Sequence, residues 1–524
     1  MNRREFLGVL GGCALAAASP PGLPAWAEAL VPQAGRAAFT PDVEFEMTAR
    51  TGEHQILGSR PTQTWFYTGR LIKGRPGTLQ PTGSYLGPTI RVRRGDKVRV
   101  HFLNQLPEPS IIHWHGIEVP ESADGHPRLA IPQGKVYTYE FEVRNRAGQY
   151  WYHPHPMGRT AIQVYRGMAG FFFVEDDEET ALKLPSAEHE IPIVLQDRLF
   201  DGNSQLVYNA ESAMGAIMGF LGDKILVNGR ASAELSLATT FYRLRILNGS
   251  NSRIYKLAWS DNSPVTIIGT DGGLLERAAA KPYLALAPGE RADLILDLSR
   301  RPVGTTVELR SLTFTGTQSG MGMMGRGMAR GMGRGMMGMN GMQSALDQGA
   351  EFPVLRIRVN RKEASSFRLP GRLSEPRFNR AADAVNRPSP RVLPIAFGQM
   401  RWMLNNDIFR MTEVAENEIV KSGSLEIWEF RNTGSGMMQM AHPMHVHGGQ
   451  FQVIERVPVR GSEADQQTLR AGFTDEGWKD VVLVWPGERV RLLLRIGPYK
   501  GLFLYHCHNL EHEDMGLMRN YRIT

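Results

Sequence analysis

The sequence predicts an all-β protein built from about three consecutive Greek-key β-sandwich or barrel domains. Short alternating segments point to strands. Ile90-Arg-Val-Arg-Arg-Gly-Asp-Lys-Val-Arg-Val-His-Phe102 alternates apolar and polar residues about a Gly-Asp turn and reads as a hairpin, and Tyr137-Thr-Tyr-Glu-Phe-Glu-Val143 and Leu425-Glu-Ile-Trp-Glu-Phe-Arg431 alternate likewise. Gly, Pro and Asn punctuate such segments, and helical periodicity is scarce. With 524 residues, 42% of them hydrophobic, the chain can bury several cores rather than one.

Taken in order, Asn2-Arg3-Arg4-Glu5-Phe6-Leu7 is a twin-arginine pattern, followed by an apolar run to Ala18 and a cleavage-like Ala25-Trp26-Ala27. Residues 1–27 therefore read as a signal peptide for the twin-arginine export machinery, which carries an already folded protein to the periplasm. The apolar run is too short for a membrane span. Leu10-Gly-Gly-Cys13 resembles a lipoprotein acylation site, although the apolar run before it is very short. Cleavage after Ala27 leaves Cys507 as the single cysteine, so no intramolecular disulfide can form and stability rests on burial. The net charge of +7 is dispersed, which gives no support to nucleic acid as a partner and suits anionic envelope surfaces.

Domain one is expected over residues 40–177. Domain two, residues 189–362, has strands such as Glu190-Ile-Pro-Ile-Val-Leu195 and Arg291-Ala-Asp-Leu-Ile-Leu-Asp297 but no metal-ligand cluster, and reads as a spacer. One short helix is expected over residues 210–221, where Met214, Ile217, Met218 and Leu221 recur at helical spacing and would pack. Residues 321–342 hold nine methionines and eight glycines. Met324, Met328, Met332 and Met336 fall four apart, yet glycines that each cost a helix about 1 kcal/mol predict a mobile loop. Thioether sulfur is soft and selects cuprous copper, so the loop is a candidate for handling that ion. An unconstrained low-complexity insertion and a methionine sponge for oxidants are the other readings, and Arg326, Arg330 and Arg334 would repel cations. Residues 363–394, polar and rich in Pro and Arg, form a linker, and domain three spans residues 395–524.

Ten of the 14 histidines lie in four clusters: His113-Trp-His115, His153-Pro-His155, His442-Pro-Met-His445-Val-His447, and His506-Cys507-His508 with His512. In an extended segment alternate side chains share a face, so each His-x-His pair presents two imidazoles together while Cys507 points away from His506 and His508. His442 precedes His445 by three residues and points to the side on which Cys507 lies. Parity thus yields a separate His, Cys, His site, and a thiolate with two imidazoles is the ligand set of a blue-copper electron-transfer centre. Structural zinc sites favour several cysteines and close at four ligands, a poor match to eight imidazoles around one thiolate. Taken singly, the pairs could be surface histidines beside the core aromatics Trp114 and Trp151-Tyr152, and Cys507 a buried free thiol.

The four clusters, in this order along the chain, resemble the copper-ligand motifs of three-domain multicopper oxidases. Gly477-Trp-Lys-Asp480, Gly222-Asp-Lys-Ile-Leu-Val-Asn-Gly229, Leu244-Arg-Ile-Leu-Asn-Gly249 and Asp271-Gly-Gly-Leu-Leu275 are similar to the bacterial periplasmic branch that oxidises cuprous ion. The resemblance implies three cupredoxin-like domains and four copper ions. Type 1 copper would take His442, Cys507 and His512; type 2 copper His113 and His445; the paired type 3 coppers His115, His153, His155, His447, His506 and His508. It further implies that a one-electron donor reduces the type 1 site near the surface by way of His442 or His512. Electrons would then cross Cys507 to His506 and His508, and dioxygen would become water. Asp124 and Glu513 occupy positions that carry protons in similar oxidases, although each could equally be an ordinary solvated acid.

The first reading of the reductant is Cu(I), in copper detoxification; a laccase-like oxidation of phenols and an oxidation of Mn(II) are the alternatives. Relatives that have lost their ligands act as non-enzymatic envelope scaffolds, whereas all ten histidines and the cysteine are kept here. A monomer is expected. Three departures from the family pattern stand out. The methionine loop lacks the histidines and acids of comparable insertions. Met440 matches the methionine of the family's substrate-copper site, but Met438 stands where an aspartate is expected. Leu517 occupies the type 1 axial position, flanked by Met515 and Met518; leucine cannot coordinate, which should raise the reduction potential, and a register slip that brings in Met518 is the alternative.

Overall fold

The structure is a computed structural model that describes residues 39–58, 60–319, 346–432, 439–458 and 463–524. The export signal with Cys13, the methionines Met324, Met328, Met332 and Met336, and Met438 lie outside the described residues. Among the described residues strands predominate, and three pairs of sheets follow one another along the chain. None of the described helices is long and apolar enough to cross a membrane.

The first pair combines a four-stranded and a five-stranded sheet. Val43–His54 runs antiparallel to Thr62–Lys73 and parallel to Lys97–Asn104, the mixed pairing of a Greek key. Period-two alternation buries Val43, Phe45 and Met47 from one strand and Val98, Val100 and Phe102 from its neighbour, around Trp114, Phe141 and Phe172. Each such large apolar side chain contributes roughly 1.5–3 kcal/mol through burial. The expected hairpin at residues 90–102 is instead a corner. Thr89–Arg93 pairs with Gly170–Glu175, and Lys97–Asn104 pairs with Val43–His54 and Val136–Glu142 in the other sheet. Both strands have the right alternation because both face one core, but from opposite layers, with Gly95 at φ +92° making the turn.

The middle pair, seven strands against five, encloses Tyr242, Leu244, Ile246, Leu294 and Ile357. Its expected helix is shorter than the sequence suggested, Ala213–Met218: the Ser212 side chain accepts from Gly215 N at the start, and Gly219 ends it at φ +79°. Residues 362–390 carry no strand; they hold one turn of 3-10 helix, Ala381–Asp383, and Leu373 packs against Ile268 and Leu274 of the middle sandwich. The third pair, five strands on five, packs Trp428, Phe430, Phe503, Tyr505 and Tyr521.

Two strand pairs set the site. Ile112–His115 lies antiparallel to Gly148–Pro154, with His113 opposite His153, and His442–Val446 lies antiparallel to Gly501–Cys507, with His445 opposite His506. The first pair closes the first sandwich and the second pair the third, so the histidines meet at the junction between them.

Candidate metal centres

Strand parity delivers the thiol site. His442 Nδ1 lies 3.5 Å and His512 Nδ1 3.7 Å from Cys507 Sγ, and the two nitrogens are 3.3 Å apart. Ion-to-ligand bonds of about 2.0–2.3 Å span such a triangle. Cys507 ends its strand, and His512 sits on the one-turn helix Leu510–Asp514, whose cap Asn509 also donates its N–H to Cys507 Sγ at 3.4 Å. Burial pushes the Cys507 thiol well up and holds His512 down at about 3 and His442 well below the usual imidazole range. The imidazoles are therefore neutral donors, and the thiol gives up its proton only to the charge of a metal.

The expected approach to the surface through His442 or His512 is not what the structure shows: both are 0% exposed. The Trp402 ring stands 4.6 Å from the His442 ring and 5.1 Å from the His512 ring, centroid to centroid. The carbonyl of Ile217, on the helix Ala213–Met218, accepts from His512 Nε2 at 2.9 Å and from Trp402 Nε1 at 3.1 Å. That bond leaves His512 Nδ1 free to face the thiol.

On the other face of the same strands eight imidazoles converge, all buried. His113 Nε2 is 3.4 Å from His445 Nε2; His506 Nε2 is 3.1 Å from His447 Nε2 and 3.4 Å from His155 Nε2; His115 Nδ1 is 3.4 Å from His153 Nε2. His508 lies just past the strand end, its ring 5.0 Å from His115 and 5.3 Å from His153, and neither of its nitrogens has a partner among the described residues.

An outer ring of acceptors fixes the tautomers. His113 Nδ1 donates to the Asp124 carbonyl at 2.6 Å, His447 Nδ1 to Asp124 Oδ2 at 2.8 Å, His445 Nδ1 to the Asp480 carbonyl at 2.7 Å and His153 Nδ1 to the Pro154 carbonyl at 2.9 Å. His115 is turned over, with Nε2 donating to Asp480 Oδ1 at 3.0 Å and Nδ1 facing inward. Lone pairs left pointing at one another 3.1–3.4 Å apart in a buried pocket repel; two bonds of about 2.0 Å to a shared ion span that separation and remove the repulsion. The residues fit copper.

Both predicted proton carriers are here, and neither is a solvated acid. Asp124 is 0% and Glu513 1% exposed. Burial raises Asp124 well above the usual carboxylate range, with Glu121 adding to the effect. Burial also opposes charge on Glu513, but His155 and His506 outweigh it and the group is held low, with Oε2 3.2 Å from His506 Nδ1 and Oε1 3.5 Å from His155 Nε2.

Leu517 is fully buried in the same apolar cluster as Cys507, and its carbonyl accepts from Cys507 N at 3.0 Å. Met515 packs at the edge of that cluster, whereas Met518 packs with Phe409 and Leu504 in a separate one, which gives no support to a register slip. Met440 is buried and, with Met218, Pro443 and Asn509, lines a cavity of about 20 Å³. Met218 packs as expected and also faces this cavity, whereas Met214, expected to pack, lies on the outer side of the helix and is 40% exposed.

Sequence reasoning gave Trp402, Ile217, Glu511 and Arg291 no part in the metal centres, although Ile217 was expected to pack in its helix and Arg291 to lie in a strand. Arg291 is fully buried and clamps Asp480, with Nη2 2.6 Å from Oδ2; burial pushes the Asp480 carboxyl up to about 6 against the pull of Arg291. Only the motif Gly477–Asp480 hinted at this contact, which joins residues 189 positions apart.

Two family models described as multicopper oxidase match the chain, at residues 75–179 and 385–524. The chain is 30% identical over 472 residues to the multicopper oxidase Mco of Staphylococcus haemolyticus, covering 90% of this chain and 89% of that protein. It is 28% identical to the laccase of Bacillus subtilis, across 92% and 94% of the two chains. The crystal structure of McoA multicopper oxidase from the hyperthermophile Aquifex aeolicus matches with a TM-score of 0.75 at 32% identity, over 93% of this chain and 97% of that one. Cupredoxin-like sandwiches, a buried thiol with two imidazoles and a second pocket of eight lead to the same conclusion: the chain belongs to the multicopper oxidase family.

Proposed function

We propose that this oxidase takes single electrons from a small, soft reductant, cuprous ion first among them, and that His442, Cys507 and His512 hold the type 1 copper. His113 and His445 hold the type 2 copper; His155, His447 and His506 hold one type 3 copper and His115, His153 and His508 the other. When bound, these coppers supply four one-electron steps that, with four protons, turn dioxygen into two waters. The chain provides the route between them. Cys507 is joined through its own backbone to His506 and His508, and His506 Nδ1 donates to the Cys507 carbonyl at 3.1 Å, which adds a hydrogen-bonded shortcut. Asp124 is disposed to hold a proton beside His447, and Glu513 to accept one between His155 and His506. Export of the folded chain through residues 1–27 would place it in the periplasm.

The observation that carries the cuprous reading is the covered type 1 site. A phenol must bring its ring against an exposed imidazole edge, and neither His442 nor His512 has one. A cuprous ion needs only soft ligands close by, and Met218 and Met440 line a cavity walled by Pro443, next to His442, and by Asn509, the cap of the His512 helix. Steady-state oxygen uptake with cuprous ion and with a phenol, for the full chain and for a chain lacking residues 321–342, tests the reading. Cuprous ion should be the better substrate by about tenfold or more in kcat/KM, and the deletion should reduce its rate selectively. Equal or better turnover of the phenol by the full chain would make the protein a laccase instead.

A further inference from the structure

Between Arg198, where one strand of the middle sandwich ends, and Lys224, where the next begins, the chain leaves its own sheets and lies against the turn that carries His512. Its attachments are side-chain and carbonyl bonds rather than a strand ladder. Glu511, buried on the helix Leu510–Asp514, accepts from Tyr208 Oη at 2.9 Å and from Phe220 N at 3.0 Å, and so grips both ends of this stretch. Asn251 Nδ2 at 2.7 Å and Ser252 Oγ at 2.6 Å complete the four donors around its carboxylate. Between the two grips, the Ile217 carbonyl covers His512 Nε2.

Gly219 shows how closely the stretch is seated. Its φ is +79°, and a Cβ there would stand 2.4 Å from Ser252 Oγ and 2.5 Å from Asn509 Nδ2. The outer side meets solvent, where Met214 is 40% exposed. The ring nitrogen of His512 that would otherwise face outward is thereby occupied by a carbonyl that belongs to another sandwich.

We propose that residues 208–220 are a selectivity cover, latched by Glu511 and seated through Gly219, that keeps aromatic reductants off the His512 edge and so sets which donors the oxidase accepts. The proposal rests on the reading of His442, Cys507 and His512 as the type 1 site. Tyr208→Phe removes one of the four bonds to Glu511 and touches no copper ligand; Gly219→Ala forces the cover outward. Both variants are compared with the full wild-type chain after copper loading.

Three readouts are taken: the blue thiolate-to-copper absorption, hydrogen exchange of residues 208–220, and kcat and KM for cuprous ion and for a methoxyphenol. The blue band should persist and exchange of the cover should rise. KM for the phenol should fall so that its kcat/KM increases about tenfold in Gly219→Ala and severalfold in Tyr208→Phe; cuprous turnover should change less than about twofold in Tyr208→Phe and should drop in Gly219→Ala, which also displaces Met218. If Gly219→Ala does not fold, Tyr208→Phe decides alone. Faster exchange with an unchanged or lower phenol kcat/KM overturns the cover, as does exchange that stays at the wild-type rate in both variants. A wild-type protein that loads copper and shows no blue band overturns the type 1 assignment instead.

Discussion

Leu517 is buried in the cluster that holds Cys507, and under the proposed type 1 assignment it stands where a thioether or amide would weakly bind the copper. Without that donor the oxidised ion loses more stabilisation than the reduced one, and the potential rises. Leu517→Met should therefore lower the potential by about 59 mV or more, a tenfold change in the one-electron equilibrium, as read by redox titration of the blue band. Met518 cannot compensate from its separate packing cluster, so an unchanged potential would mean that residue 517 does not face the ion. The same residue scale separates the two acids of the site. Asp124 and Glu513 differ by what surrounds them: Asp124 is desolvated beside another acid, Glu121, while Glu513 lies between His155 and His506.

At the scale of elements, the adjacent residues Lys479 and Asp480 plug the third sandwich into the middle one. Lys479 Nζ lies 3.0 Å from Asp271 and 2.8 Å from Glu290, and Asp480 meets Arg291 while receiving His115 Nε2. Asp480→Asn keeps the size but weakens the ion pair and the lock on the His115 tautomer. Oxygen reduction and copper occupancy should fall roughly 10–100-fold at limiting copper, measured by metal analysis and oxygen uptake. Full occupancy at wild-type rates would show that His115 needs no such support.

What could be read from sequence followed the range of the interactions. Period-two parity is local, and it separated Cys507 and His442 from the His-x-His pairs. The Gly-Asp corner at residues 94–96 looked like a hairpin because alternation names the buried face, not the partner strand. Burial of His512 was invisible, since its cover comes from Ile217, 295 positions earlier, and a wall from Trp402. The helix over residues 210–221 was found for the spacing of its methionines and overextended, because Gly219 stops it.

At the scale of the molecule, buried ion pairs knit the sandwiches together. Glu190, on the first strand of the middle sandwich, lies 3.2 Å from Arg91 of the first and 3.0 Å from Arg245. Burial opposes its charge, but Arg245 and Arg91 prevail and lower it to about 2. Because the folded value lies below the unfolded one, the stabilisation is present above pH ~4.5 and is lost as pH falls toward 2, and is on the order of 3 kcal/mol at neutral pH. Glu190→Gln should remove it and leave two arginines without their shared partner. Urea unfolding at pH 7 should show the loss, and the difference from wild type should shrink by pH 3. A constant difference across that range would assign the effect to packing.

The pocket of eight imidazoles has one more property. Every close pairing across the junction joins the first sandwich to the third: residue 113 meets 445, 155 meets 447 and 506, and 115 and 153 meet 508. His113, His115 and His153 already stand together within the first sandwich, but the full set of eight imidazoles exists only where the two outer sandwiches dock. The complete pocket thus needs both outer sandwiches, and a chain lacking residues 508–524 would lose the His508 imidazole from it.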